Sequence, residues 1–200
     1  MKFTAMMAIV AVMGMTAWAG ESGPANEPKV TVCMERGGDM VTTLRAQTAA
    51  SKMFSEVGVK IEWHGQSSCP ADALRISLST STPANLLPSA WAYALPYEGS
   101  HIVVFCDRIQ KAVAMAPGRV QVPSLLAHVL VHEITHILQG FNRHSASGVM
   151  KTRWDFDDFS HMDWKPLQFT EEDVMHIHQG LNARASRLAG AILVAQNSQQ

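Results

Sequence analysis

Two hundred residues with 16 Lys+Arg against 17 Asp+Glu carry a formal charge of −1, which excludes the basic footprint that nucleic acid or an anionic membrane surface requires. The 47% hydrophobic and 16% charged fractions are those of a globular chain, and the length suits one domain. Nine histidines are the unusual entry, because histidine is the commonest metal ligand and a frequent acid–base side chain.

The chain begins with Lys2, an apolar run over 3–18 and the small-x-small triplet Ala17-Trp18-Ala19. That run is short for a membrane span and has the form of a secretory signal. Residues 1–19 are therefore expected to be removed, giving a secreted or periplasmic protein with no membrane span. Residues 20–28, with two prolines and two glycines, read as a flexible leader. Export implies an oxidising compartment. Cys33, Cys69 and Cys106 can then form at most one intramolecular bridge, with three possible pairings. Cys33 and Cys106 also lie in strand-like runs and suit small buried apolar positions.

Alternating β-branched residues predict a strand over 29–34. Apolar residues at helical spacing predict a helix over 40–57, stopped by Gly58. Further strands are expected over 59–63 and 74–78. Trp91 to Leu95 lies between prolines and suits only a short edge strand. The nearly continuous apolar run over 101–106 suits a strand covered on both faces. Pro123 opens a helix that runs to Gln139 and ends at Gly140. The stretch up to Pro166 reads as turn-like and aromatic. Thr170-Glu171-Glu172-Asp173 has the acidic first turn of a helix that continues to about Val194. Residues 195–200 form a polar tail expected to be disordered. The result is an α+β domain over 29–194. It has a mixed twisted sheet of about five strands, a backing helix, the helix over 123–139 and a C-terminal helix.

That middle helix carries His132-Glu133-Ile134-Thr135-His136. Residues four apart share a helix face, so both imidazoles can reach one ion at roughly 2.0–2.1 Å. Glu133 stands beside them, where a carboxylate can take a proton from the attacking water. The flanks Leu125, Leu126, Val129, Leu130, Val131, Ile137 and Leu138 place the helix in the core. Buried polar side chains there need a partner. A structural zinc has four protein ligands and a catalytic one keeps a position open; the glutamate inside the motif favours the open kind. The third ligand must come from outside the helix, and His144, four residues beyond the turn at Gly140, is the first candidate.

With these residues the chain resembles the metzincins, zinc endopeptidases with H-E-x-x-H-x-x-G-x-x-H followed by a methionine turn. His132, Glu133 and His136 match the motif, and Gly140, His144 and Met150 correspond to its glycine, third ligand and methionine. The spacing departs from the family, with three residues in place of two on each side of Gly140. Upstream, Ala92, Tyr93, Ala94 and Leu95 followed by the strand at His101 resemble the substrate-binding edge strand of matrixin-type members, which hold a peptide by strand addition. The resemblance implies a zincin/metzincin-like fold and one catalytic Zn2+. It also implies a secreted, monomeric metalloendopeptidase acting on peptide or protein substrates. Many members have a tyrosine two residues after the methionine. Here that position is Thr152, leaving Arg153 or Trp154 as candidate donors to the transition state, although Arg153 is also placed to pair with Asp155 or Asp157.

Two other functions fit parts of the sequence. A gluzincin-type enzyme would take its third ligand from Glu171 or Glu172, residues that also suit helix-dipole acids. A catalytically inactive zinc-binding or protein-binding domain would keep the metal without turnover, against which stands Glu133. Of the other histidines, His128 lies one turn before His132 and suits either a neighbour supporting the ligands or a helix histidine bonded to backbone. His176 and His178 are expected to be exposed, His161 lies in a loop, and His64 and His101 at strand ends suit structural positions.

Overall fold

The computed structural model describes residues 27–35, 39–87, 90–94 and 100–197, with the side chains of 191–197 left aside. The expected signal over 1–19, the expected leader up to residue 26, Leu95 and residues 198–200 lie outside this set. Pro28, assigned to the flexible leader, is tied to the sheet by the Lys60 N–H donating to its carbonyl at 3.0 Å.

The alternating segments form β1 (Lys29–Met34), β2 (Lys60–Gly65), β3 (Leu74–Ser79), β4 (Ala92–Ala94) and β5 (His101–Phe105). They make one mixed sheet in the order β2-β1-β3-β5-β4. Four strands run parallel, and β4 alone pairs antiparallel, with Ala92 opposite Val104 and Ala94 opposite Ile102. The flanking prolines anticipate this position, since an edge strand can spare ladder donors. One face of the sheet buries Val32, Leu74, Ile76, Ile102 and Val104.

Helix α1 (Met40–Ser55) starts at Asp39, whose carboxylate accepts from the Val41 and Thr42 N–H groups. Its buried stripe Ala46, Ala50, Met53 and Phe54 has helical spacing. The helix read from Pro123 begins one residue earlier, at Val122, and ends at Gln139. It is buried along most of its length, as its apolar flanks predict. It is α3, because α2 (Cys106–Met115) precedes it.

Two helices depart from expectation. The chain leaves β5 at Phe105 and turns directly into α2, so Cys106 opens a helix and does not close a strand. α4 (Phe156–Met162) occupies part of the stretch read as turn-like, and Asp155 and Asp158 form a reciprocal capping box at its start. The last helix, α5 (Glu171–Asn197), overruns the expected end near 194. Cys33 is bridged to Cys69, tying β1 to the segment just after β2. Cys106 is a free, half-buried thiol. No helix among the described residues is long and apolar enough to cross a membrane.

Candidate metal centre

α3 presents His132 and His136 one turn apart, with their Nε2 atoms 3.1 Å from each other. Gly140 at φ 80° caps the helix in the left-handed region, and its N–H donates to the His136 carbonyl. Without a side chain it takes this conformation at little cost. The chain reverses there and returns His144 to the pair, with ring centroids 5.2 Å from His132 and 5.0 Å from His136. One ring nitrogen from each of the three lies within 4.8 Å of the others.

Backbone and side chains beyond the triad fix these rings. The His132 Nδ1 lies 2.9 Å from the Val149 carbonyl. A carbonyl only accepts, so Nδ1 carries the proton and Nε2 is left as a bare lone pair facing His136. Val149 belongs to the turn that contains Met150. The Met150 carbonyl accepts from Ser145 at 2.8 Å, and Met150 itself is fully buried in the core. The loop bearing His144 is anchored on both sides by Asp173, the fully buried acid in the first turn of α5. Arg143 Nη1 donates to its carboxylate at 3.1 Å, Ser145 Oγ at 2.5 Å and Thr170 Oγ1 at 2.7 Å.

Burial sets the protonation of the group. It holds His132 at about 4 and, with the neighbouring His132 adding, His136 at about 3, and it lowers His144 as well. The same desolvation raises the Glu133 carboxyl to about 7. Three neutral imidazoles with converging lone pairs are a donor set for a borderline-soft divalent cation. Two nitrogens on one tetrahedral zinc would stand about 3.3 Å apart, close to the 3.1 Å between the two Nε2 atoms. The residues therefore fit zinc through three nitrogens, with a coordination position left for another ligand.

The triad and Glu133 line a cavity of about 810 Å³ that is also walled by Ala92, Tyr93 and Ala94 of the edge strand. Trp91, Trp154 and Phe159 form an aromatic side, with Trp91 5.5 Å from Trp154 and 5.8 Å from Phe159 between centroids. Arg153 lines the cavity and is exposed. It pairs with neither Asp155 nor Asp157, because Asp155 accepts instead from Lys151 at 2.8 Å. The indole Nε1 of Trp154, which also lines the cavity, is buried and has no hydrogen-bond partner among the described residues.

Glu172 is not drawn to the three histidines. It pairs with Arg143 and lies 3.6 Å from His176, while Glu171 is exposed. His176 and His178 are half-buried, contrary to expectation. His176 packs edge-on against Phe141, and His178 Nε2 lies 2.8 Å from the Val57 carbonyl, which ties α5 to the end of α1. His161 packs on Trp164. His128 is bonded to backbone through both nitrogens. Sequence reasoning missed Asp173 and Val149 as supports of the triad. For Asp173 the available signal was an acid in the first turn, which equally suits a solvated helix end.

The sheet order, the motif-bearing helix beneath it and the turn at Met150 define a metzincin-like α+β fold. No family model matches the chain, and no curated protein matches it. Among solved structures the fold is similar to that of archaemetzincin from Methanopyrus kandleri, with a TM-score of 0.55 and 14% identity over 80% of this chain and 98% of that one.

Proposed function

We propose that the protein is a secreted or periplasmic zinc metalloendopeptidase. The observation that carries this is the convergence of His132, His136 and His144 beside Glu133 in a cleft whose other wall is an edge strand. The likeness to archaemetzincin, a fold built for this chemistry in the metzincins, supports it. The Cys33–Cys69 bridge supports export, since such bridges persist in oxidising compartments.

In this proposal the three imidazoles hold one zinc, which supplies Lewis acidity toward the scissile carbonyl and lowers the pKa of water. A peptide extends along β4, whose outer edge pairs with no described strand and so keeps backbone donors and acceptors free. Its side chains reach the aromatic wall of Trp91 and Phe159. Glu133 takes a proton from the attacking water at its carboxylate and delivers it to the departing amine. Burial raises the Glu133 carboxyl in the metal-free site, and a carboxylate beside the water is the group placed for both acts. Arg153, without an ion pair among the described residues, and the unpartnered Trp154 Nε1 are the donors available to the developing oxyanion.

The test is Glu133→Ala. The variant should keep its zinc and lose hydrolysis of casein or gelatin. Equal inertness of wild type and variant over a broad peptide library would remove the peptidase from this account and leave a zinc-binding domain.

A further inference from the structure

His128 takes no part in the proposed chemistry, yet it is 1% exposed in the middle of α3, one turn before the first ligand. Its Nδ1 lies 2.7 Å from the Ser124 carbonyl, and its Nε2 is met by the Leu167 N–H at 3.1 Å. The carbonyl can only accept and the amide can only donate. The ring is thereby fixed as the neutral Nδ1–H tautomer, with its Nε2 lone pair committed to Leu167. Burial favours the same neutral form, holding this histidine below its ordinary value.

Leu167 is bonded to the residue that supports the methionine turn. The carbonyl of Gln168 accepts from the Val149 N–H at 3.0 Å. The Val149 carbonyl in turn accepts from His132 Nδ1 at 2.9 Å. The two backbone segments touch with no side chain between them, since a Cβ on Gly148 would come within 2.1 Å of the Gln168 carbonyl oxygen. Trp154 supplies a second contact, standing edge-on to both histidines at 6.0 Å from His128 and 5.7 Å from His132.

We propose that His128 is a positioning residue for the zinc ligand His132. It holds Leu167, Leu167–Gln168 holds the Val149 peptide, and that peptide sets the tautomer and direction of the His132 ring. Groups bonded directly to a metal ligand, as the Val149 carbonyl is to His132, commonly govern affinity by about 10- to 100-fold, and His128, two hydrogen bonds further back, acts at the lower end of that range. The proposal rests on the zinc-binding reading of the His132, His136 and His144 cluster.

Two substitutions separate positioning from packing, because each keeps one of the two hydrogen bonds. In His128→Gln the amide oxygen falls near the position of Nε2 and can still accept from Leu167. In His128→Asn the side chain reaches only the Ser124 carbonyl. Zinc affinity, read by competition with a chromophoric chelator, should fall about 10-fold in His128→Asn and stay within roughly threefold of wild type in His128→Gln. The d–d bands of the Co2+-loaded protein should shift in the Asn variant alone. Equal losses in the two variants, or none in either, would overturn the proposal. A measurement on the unaltered chain covers the case in which His128→Asn fails to fold. Zinc should slow hydrogen exchange at the Leu167 amide together with that at Val149, by reciprocity of coupling; protection of Val149 with Leu167 unchanged would overturn it. A wild-type chain that takes up no zinc would instead sink the functional reading itself.

Discussion

At the scale of single residues the site is governed by desolvation. His132 and His136 are held at about 4 and about 3, against 6.5 for a free imidazole, and Glu133 at about 7 against 4.5. These shifts act in opposite directions on the metal-free fold. Above pH 6.5 the two histidines are neutral in both folded and unfolded chains and add no pH dependence. As the pH falls from 6.5 toward 4 the unfolded chain takes up protons that the folded one refuses, and stability is lost. Glu133 does the reverse. Between 4.5 and 7 the folded chain keeps a proton that the unfolded chain has released, so its contribution falls as the pH rises through that window. The metal-free Glu133→Gln variant should therefore gain stability over wild type progressively from pH 4.5 to 7 and hold it above, by about 3 kcal/mol. Urea unfolding across pH 4 to 8 measures this, and parallel profiles for the two proteins would contradict it.

The convergence of the helix pair of histidines was legible because its geometry is local. Four residues on one helix make one face, and no knowledge of the rest of the fold is needed to place two imidazoles together. His144 was legible only as a candidate, since its return depends on a loop whose extra residues on either side of Gly140 had to be accommodated. The structure accommodates them with Asp173, which binds the residues immediately before and after His144. That contact joins positions about thirty apart, and no periodicity announces it.

Among the elements, the junction of α5 with the loop after α3 is thus the one on which the position of His144 depends. Asp173 accepts from Arg143, Ser145 and Thr170 while fully buried. Removing it leaves Arg143, only 26% exposed, with Glu172 as its remaining carboxylate and takes the acceptor from Ser145 and Thr170. Asp173→Ala should cost about 3 kcal/mol, the lower end for a broken buried pair because water reaches part of Arg143. It should also weaken zinc binding, whereas Glu172→Ala, at the exposed partner of the same arginine, should cost under about 1 kcal/mol and leave zinc binding alone. Chemical denaturation with and without zinc distinguishes the two. Equal effects would place the anchor in the ion pair with Glu172.

The missed elements had readable signals. α2 carries Ile109, Ala112 and Val113 at helical spacing, but the apolar run of β5 flows into it without a turn residue, so no boundary marked its start. The capping pair Asp155 and Asp158 does stand three apart in the sequence. Seven residues leave little room for an apolar stripe, and α4 therefore looked like loop. The strands and long helices were clear because each buries a face with its own period.

For the molecule as a whole, the sheet order was not legible. Alternation identifies a strand but not its neighbour, and the parallel pairing of β1 between β2 and β3 is a matter of crossover connections. The disulfide was likewise open among three pairings until the fold brought Cys33 and Cys69 to a Cα separation of 5.7 Å. The bridge spans 36 positions and constrains the unfolded chain. Reduction should lower stability by about 3–4 kcal/mol. Because neither cysteine lines the cleft, zinc content at a temperature where the reduced chain stays folded should be unchanged. Thermal unfolding with and without reductant, followed by metal analysis, checks both parts; loss of zinc from a folded, reduced chain would contradict the separation of bridge and site.

The zinc K-edge absorption spectrum of the metal-loaded protein tests the central claim most directly. The account predicts one zinc with three imidazole nitrogens at about 2.0–2.1 Å and a single further oxygen, and loss of one imidazole contribution in His144→Ala. A sulfur contribution, a fourth protein nitrogen, or a spectrum unaltered by His144→Ala would contradict it.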